Sequence, residues 1–567
     1  MSSDGFSRFE THRSSVALLV LLCLAMFLPG FSRLPPMDRD EPRFAQASKQ
    51  MLESGDFVAI RYQSEARNKK PVGIYWLQAT AVELGTRLGV DHARTQIWLY
   101  RIPSLLGAIG AVLATYWAAL ALTSRRAALV AAALLASTVL LNVEARLAKT
   151  DAVLLLTVVV AMGALARLYP KLRGGDKPEP TFGTAAIFWT AVAAGLLIKG
   201  PITPMFPAFA VLVLWAKDRS ARWLTNLRPG LGLLWTVLLV LPWFVLILLR
   251  TRGAFLADSV GHDMLGKVAG AQESHGAPPG TYLLAFWATA WPLAPFVAFA
   301  AASAWRRRAD PAVAFLLAWV VPAWLLFEAF PTKLPHYVLP TYPALAILAA
   351  GLLSDGEVKS WRSTMARWIA CLLIALLPLA LLVVLARGQG FLWDQLSFGS
   401  LAGGLAVSLV LLVTAWRASG RLAGRAVGPA AAACAGAALL GYGFIFGHLL
   451  TPAVADRLAL SPHLAVAGAQ ALDSGCPGQY AAAGTHEPSL VFLTGTNLLL
   501  TDGIGAAAFL KSGDCRVAFV DRREEPNFKT SLGDMPEVKL ARRVEGTAIN
   551  GAKPLDIGVY VRQRQAP

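Results

Sequence analysis

Charged side chains are scarce: Asp, Glu, Lys and Arg make up 15% of the 567 residues, where a soluble globular chain carries about 25%. The deficit runs over most of the length, which excludes a soluble enzyme with one anchor. Cysteines number five, and no close His/Cys/Asp spacing marks a zinc site. A Gly-rich nucleotide loop is absent; Gly403-Gly404 follows Ala402 inside an apolar run. There is no internal repeat and no low-complexity block. What fills the space is apolar, with 56% hydrophobic residues. The net charge of +17 would suit nucleic acid only with a basic stripe and interleaved aromatics. Here Lys and Arg sit in short loops between apolar runs, which fits the positive-inside bias and anionic headgroups.

The first run, Val16 to Phe31, follows Arg8 and Arg13 and lacks a small-x-small cleavage site, so it reads as an uncleaved first helix with a cytoplasmic amino end. Further runs lie at Ile102–Leu122, Ala127–Leu141, Ala152–Leu168, Ala185–Ile198, Ile202–Trp215, Leu231–Leu249, Tyr282–Ala302, Ala312–Phe330, Tyr337–Leu353, Trp368–Leu385, Leu401–Trp416 and Ala430–Leu450. Together they make about thirteen spans of roughly 20 residues. The basic clusters at 125–126, 171–173, 217–228, 306–308, 359–367 and 417–425 fall in every second loop, hence on one side. Val72 to Gly89 is apolar but carries Gln78, Glu83 and Arg87. A crossing there would invert every later loop, so it reads as a helix on the outer surface.

The expected division is a membrane domain over 1–452, with a first outer loop over 32–100, and a soluble tail over 453–567. In the tail, short apolar segments at Gln479–Ala483, Ser489–Leu493, Arg516–Val520 and Ile557–Val561 read as strands. Helical stretches lie near Leu464–Leu472 and Gly505–Leu510. The alternation suggests a small α/β unit. Cys23, Cys371 and Cys434 lie in apolar runs, while Cys476 and Cys515 lie in the tail and are available to a disulfide if that side is oxidising.

Residues able to carry chemistry gather in the outer loops. Asp38-Arg39-Asp40-Glu41-Pro42-Arg43-Phe44-Ala45 sets acids and guanidiniums at a helix start. Asp40 suits a general base or a stabiliser of positive charge, and Arg43 a phosphate fork; the plain alternative is a helix cap on a solvated surface. Lys69-Lys70 precedes Pro71, Tyr75 and Trp76 and suits a lipid phosphate or ordinary headgroup snorkelling. Asp151 opens a span as a functional acid or a helix-dipole partner. Lys199-Gly200-Pro201 and Lys333-Leu334-Pro335-His336-Tyr337 are short outer turns whose lysines bind substrate or snorkel. His262 and His275 are loop histidines, metal ligands or proton carriers only if a partner is near.

Taken in order, Asp40-Glu41-Pro42-Arg43-Phe44-Ala45, Leu52-x-Ser54-Gly55-Asp56, Lys70-Pro71 with Tyr75-Trp76-Leu77, Arg101-Ile102-Pro103-Ser104, Thr150-Asp151, Lys199-Gly200-Pro201, His275-x-Ala277-Pro278 and Lys333-Leu334-Pro335-His336-Tyr337-x-Leu339-Pro340 resemble the bacterial aminoarabinose (4-amino-4-deoxy-L-arabinose) lipid A transferases. More distantly they resemble the protein O-mannosyltransferases, also of the GT-C class. The resemblance implies a mostly α, polytopic membrane protein with a small periplasmic α/β domain at its carboxyl end. It implies an inner-membrane glycosyltransferase that moves a sugar from a polyprenyl (undecaprenyl) phosphate to lipid A, another glycolipid or a protein. Asp40 matches the key loop acid and Asp151 the second acid, with Glu41 beside Asp40. Arg43, Lys70, Lys199, Lys333, His336 and Tyr337 are expected around the phosphate, and His275 or His262 near substrate or metal. The family usually has a Glu before the lysine matched by Lys70, and that Glu helps hold a divalent metal. Here it is Lys69, and a dication beside two lysines is unfavourable, so no metal is expected with assurance. The alternative is a secondary transporter of the inner membrane, whose charges would sit near the midplane.

Overall fold

The computed structural model describes residues 11–37, 40–172, 181–259, 261, 276–354, 364–387, 397–424, 426–473, 476–547 and 554–564. Helices dominate. They begin with α1 (His12–Phe27), α2 (Asp40–Ser54), α3 (Gly73–Arg87), α4 (Ile97–Ala119), α5 (Arg125–Ala136), α6 (Val139–Glu144), α7 (Asp151–Leu168), α8 (Phe182–Lys199), α9 (Ile202–Asp218) and α10 (Pro229–Thr251). They continue with α11 (Thr281–Thr289), α12 (Leu293–Arg306), α13 (Pro311–Ala329), α14 (Tyr342–Ser354), α15 (Thr364–Ile374), α16 (Leu376–Arg387), α17 (Phe398–Ala423) and α18 (Val427–Phe444).

Each of the expected apolar runs holds helix. Among the described residues eight helices are long and apolar enough to cross a bilayer, nine if α15 and α16, bent by 44°, form one span. The other four runs hold shorter or broken helices: α1, α5 with α6, α9, and α11 with α12. The outward faces of the long helices are apolar. On α10, Leu231, Leu234, Trp235, Leu238 and Leu241 are all about half exposed. A surface of that kind is sustained by lipid.

Buried contacts use small residues where helices touch. α4 and α7 meet at Gly107, where a Cβ would lie 2.9 Å from the Val153 backbone. Without a hydrophobic drive between helices in lipid, such close approach supplies the packing energy. Local signals set the helix ends. Thr11 caps α1 through the Ser14 amide. Asp310 caps α13, with Pro311 at its first position. Gly200 ends α8 at φ +61°, a conformation open to glycine.

In the first outer loop α2 is followed by a hairpin of β1 (Arg61–Tyr62) and β2 (Glu65–Ala66), then by α3. α3 has 15 residues, about 22 Å of helix, short of a hydrocarbon core of about 30 Å. It buries Ile74, Tyr75, Gln78 and Val82 and exposes Leu77, Leu84 and the following Leu88.

Helical turns run on from α18 to Leu458, past the expected boundary at 452/453. Beyond them lie α19 (Leu460–Gln470), β3 (Gln479–Ala483), α20 (Pro488–Thr494), β4 (Leu499–Thr501), α21 (Gly503–Lys511), β5 (Arg516–Asp521), α22 (Glu525–Leu532), β6 (Val538–Thr547) and β7 (Pro554–Arg562). The sheet order is β4-β3-β5-β7-β6, with β3 parallel to β4 and β5 and with β7 antiparallel to β5 and β6. Leu464, Leu490 and Val491 cover one face, and Ala507, Leu510 and Phe528 the other. Ser489–Leu493 is helix rather than strand. Pro488 starts it, and a short continuous apolar run has no period to separate the two. β4, β6 and α22 were not expected. Cys476 and Cys515 form a disulfide at the edge where β3 and β5 begin.

The tail docks on the first outer loop. The Lys49 ammonium, on α2 and 5% exposed, donates to the Phe492 carbonyl at 2.9 Å. Phe492 meets Tyr100 edge-on. Gln63 donates to the carbonyls of Thr496 and Leu498. Burial pushes the Lys49 ammonium below its ordinary pKa, against the pull of Glu53.

Candidate active site

The densest group of buried charge forms where α6, α7, α8 and the turn 335–337 converge. Asp151 is the first residue of α7 and Lys199 the last of α8. Their side chains meet with Nζ 2.5 Å from Oδ1. His336 bridges the acids, with Nδ1 3.6 Å from Glu144 and Nε2 3.8 Å from Asp151. Lys149 stands 3.9 Å from Glu144. The Tyr337 ring lies under the Lys199 ammonium at 5.5 Å and packs on Phe327 and His336. All this charge sits at helix ends, away from the midplane a transporter would use.

Asp40 starts α2 with its side chain half exposed, and Arg67 from beyond the hairpin stands 3.9 Å away. Beside Lys199 and His336 opens a cavity of about 230 Å³, whose lining includes neither Asp40 nor Asp151. Lys69, Lys70, Lys199, His336 and Tyr337 line its polar end, and Leu154, Leu196, Ile202, Phe244, Phe255 and Phe330 its apolar wall. Cations outnumber carboxylates around the polar end, which suits a phosphate.

Three expected residues stand elsewhere. Glu41 is wholly buried, and its carboxylate is saturated by Arg101, by the Ala148 amide at 2.8 Å and by the Met37 amide. Arg101 spends its remaining donors on the carbonyls of Phe31, Leu34 and Pro35. Glu41 therefore anchors the loop and has no lone pair left for acid–base work. Lys333 donates to the carbonyls of Phe327, Glu328 and Phe330, closing the end of α13. It is a helix cap, and no cavity-facing donor remains. Arg43 is half-buried beside Tyr62 and does not line the cavity. His262 and His275 lie outside the described residues.

Sequence reasoning missed Glu144, Lys149, Arg67 and the partner of Arg101. Glu144 had a readable signal, an ionisable residue just after an apolar run. Arg101 had a weaker one, since a guanidinium inside a span needs a carboxylate.

A divalent metal fits poorly. Lys69 and Lys70 bring two ammoniums where the family's Glu would offer a ligand. Glu144, Asp151 and His336 do bring ligand atoms within 4.8 Å of one another. Yet Lys199 and Lys149 already face those carboxylates, so a dication would enter a neutralised group.

The family model of dolichyl-phosphate-mannose-protein mannosyltransferase matches residues 37–254. The undecaprenyl phosphate-alpha-4-amino-4-deoxy-L-arabinose arabinosyl transferase of Yersinia pestis (strain Pestoides F) is 27% identical over 411 residues, 72% of this chain and 71% of that protein. The crystal structure of ArnT from Cupriavidus metallidurans bound to undecaprenyl phosphate superposes with a TM-score of 0.77 at 19% identity, covering 97% and 98% of the two chains. The chain is a membrane glycosyltransferase with a GT-C fold. The fold is also shared, at a TM-score of 0.51 and 13% identity, with the archaeal oligosaccharyltransferase AglB from Archaeoglobus fulgidus, over 92% of this chain and 70% of that one. In this glycosyltransferase the matched segment holds Asp40, Lys70, Asp151 and Lys199, while Lys333 and His336 come from beyond it.

Proposed function

We propose that this glycosyltransferase takes its sugar from a polyprenyl phosphate and passes it to an envelope acceptor, lipid A, another glycolipid or a protein, on the outer face of a bacterial inner membrane. The observation that carries the reading is the two-part cavity, with cationic Lys69, Lys70 and Lys199 at one end and an apolar wall at the other. A lipid phosphate has the same two parts. The relatives support it too: one structural neighbour binds undecaprenyl phosphate, and the similar Yersinia protein is an arabinosyl transferase of that donor.

The donor phosphate sits among the lysines with its chain along Leu154, Leu196 and Phe244. Asp151 holds Lys199 in place, and His336 stands between the two acids. The bond from the anomeric carbon to the phosphate oxygen breaks, and the electron pair leaves with the polyprenyl phosphate. Charge developing on that oxygen is met by ammoniums already in position. The acceptor oxygen forms the new bond to the anomeric carbon. Where the acceptor is a hydroxyl, its proton passes to Asp40, which also stabilises positive charge on the sugar ring. A phosphate acceptor needs no base, and Asp40 then acts through charge alone.

The amino end is assigned to the cytoplasm and the tail to the periplasm. The alternation of basic loops supports this, as does the Cys476–Cys515 disulfide, a bond of oxidising compartments. The test is incubation of the detergent-purified protein with a panel of polyprenyl-phosphate sugars and envelope extract, following release of polyprenyl phosphate by mass spectrometry. Release that falls in Asp40→Asn and Asp151→Asn supports the reading. No release from any donor overturns it.

A further inference from the structure

A second cavity, of about 270 Å³, lies between the far end of α2, the hairpin and the tail. Gln50, Glu53, Asp56, Arg61 and Gln63 form its floor and walls, and Thr496 of the tail closes it. The first cavity is mostly apolar; here about half of the lining is polar, an acid–amide–guanidinium mixture. It is a built site. The Gln50 amide takes both the N–H and the carbonyl of Gln63, at 2.8 and 2.9 Å. It thereby holds a non-glycine residue at φ +54°, a conformation that persists only where surroundings impose it. Thr496 is fixed from two sides, accepting from Gln46 and donating to Glu53.

Both supporting elements lead back to the reaction centre. α2 begins with Asp40, and Gln50 to Ser54 lie about 15–21 Å along it at 1.5 Å per residue. The hairpin ends beside Arg67, which faces Asp40. The amides hold the walls together, while Glu53 and Asp56 each have a second carboxylate oxygen able to accept a hydrogen bond from a hydroxyl, and Arg61 can donate. Glu53 faces Lys49, and Asp56 faces Arg250 and stands near Arg61, so both acids are matched by cations and the groups left to a ligand suit a neutral one.

We infer that this cavity is an acceptor subsite for a neutral, hydroxyl-rich saccharide unit, so that the acceptor is a glycan reaching several units from the point of transfer. The inference rests on the transferase reading and names the part of the acceptor that the tail helps to grip. Its volume falls just below the range of about 300–1,000 Å³ of drug-sized sites, in keeping with a single sugar ring.

The test is saturation-transfer NMR on the full chain in detergent with methyl glycosides of a neutral hexose, an N-acetylhexosamine and a uronic acid. The expected result is signal from the neutral glycosides at least as strong as from the uronide, and loss of signal in Thr496→Trp, which fills the space. Ser54→Trp at the exposed rim should act likewise and guards against misfolding of the first variant. Equal signals in the unaltered protein and both variants, or none from any neutral glycoside, overturn the assignment. Donor cleavage by the unaltered protein is measured in parallel. Its absence sinks the transferase reading, whereas cleavage alongside either overturning NMR result sinks only the subsite.

Discussion

Segment 144–151 touches two buried ion pairs that are completed in different ways. The Ala148 amide donates to Glu41, whose partner Arg101 exhausts itself on three backbone carbonyls. Three residues later Asp151 receives Lys199, beside a cavity with His336, Lys69 and Lys70 in its wall. Both pairs combine a carboxylate with a cation deep in an apolar protein. The first is saturated by the chain and holds the outer loop to the helices. The second turns toward space large enough for a ligand. Charge that satisfies itself is architecture; charge directed at a cavity is available for chemistry.

That contrast breaks most sharply at Arg101. Arg101→Met strips buried Glu41 of its ion-pair partner and is expected to cost about 3–5 kcal/mol. A thermal melt should show it as a large fall in melting temperature. Little loss would mean the pair is not sealed from water. Lys199→Met removes a cation that lines the cavity and, on the proposed function, should lower kcat by about 10²–10³-fold, the scale of one lost transition-state donor, while the melt moves less than for Arg101→Met. A variant that unfolds without losing specific activity would place Lys199 with the architecture. Lys333→Met strips donors from three carbonyls and should cost about 1–3 kcal/mol. Per folded molecule its kcat should stay near that of the unaltered protein, which single-turnover assays would check.

The smallest effect lies in the tail. Burial raises the Glu525 carboxyl, but hydrogen bonds from Arg543, Tyr560 and Lys529 outweigh it and hold its pKa at about 2. The folded value is below the unfolded one, about 4.3. Its stabilisation is therefore complete above the unfolded value and fades as pH falls from there toward about 2. Hydrogen exchange in β7 at pH 6 and pH 3 should show the loss, and Glu525→Gln should flatten the difference.

Much of the site was readable before any coordinates. Asp40 and Lys70 stood out as an acid at a helix start and a lysine pair in the first outer loop, and the family resemblance suggested their roles; Asp151, Lys199, His336 and Tyr337 stood out at the ends of apolar runs, where ionisable residues need a reason to be. Lys333 stood out on the same grounds, in a turn much like that of Lys199, yet it closes a helix. Spacing along the chain cannot tell a lysine aimed at carbonyls from one aimed at a cavity. Glu144 and Arg67 went unread because their partners come from other segments. In the tail, Ser489–Leu493 went astray because five apolar residues are too few to show a period.

A chain built of apolar helices, and the expectation that its unusual residues collect on one side, were both legible in the sequence. Both follow from local composition, since a bilayer tests each segment for apolar length and each loop for charge. Only the tertiary structure decided which charges are spent and which are exposed to a cavity, and that the tail closes a polar pocket on the far end of α2. Those outcomes depend on distances between residues far apart in the chain, which close packing fixes and no local pattern encodes.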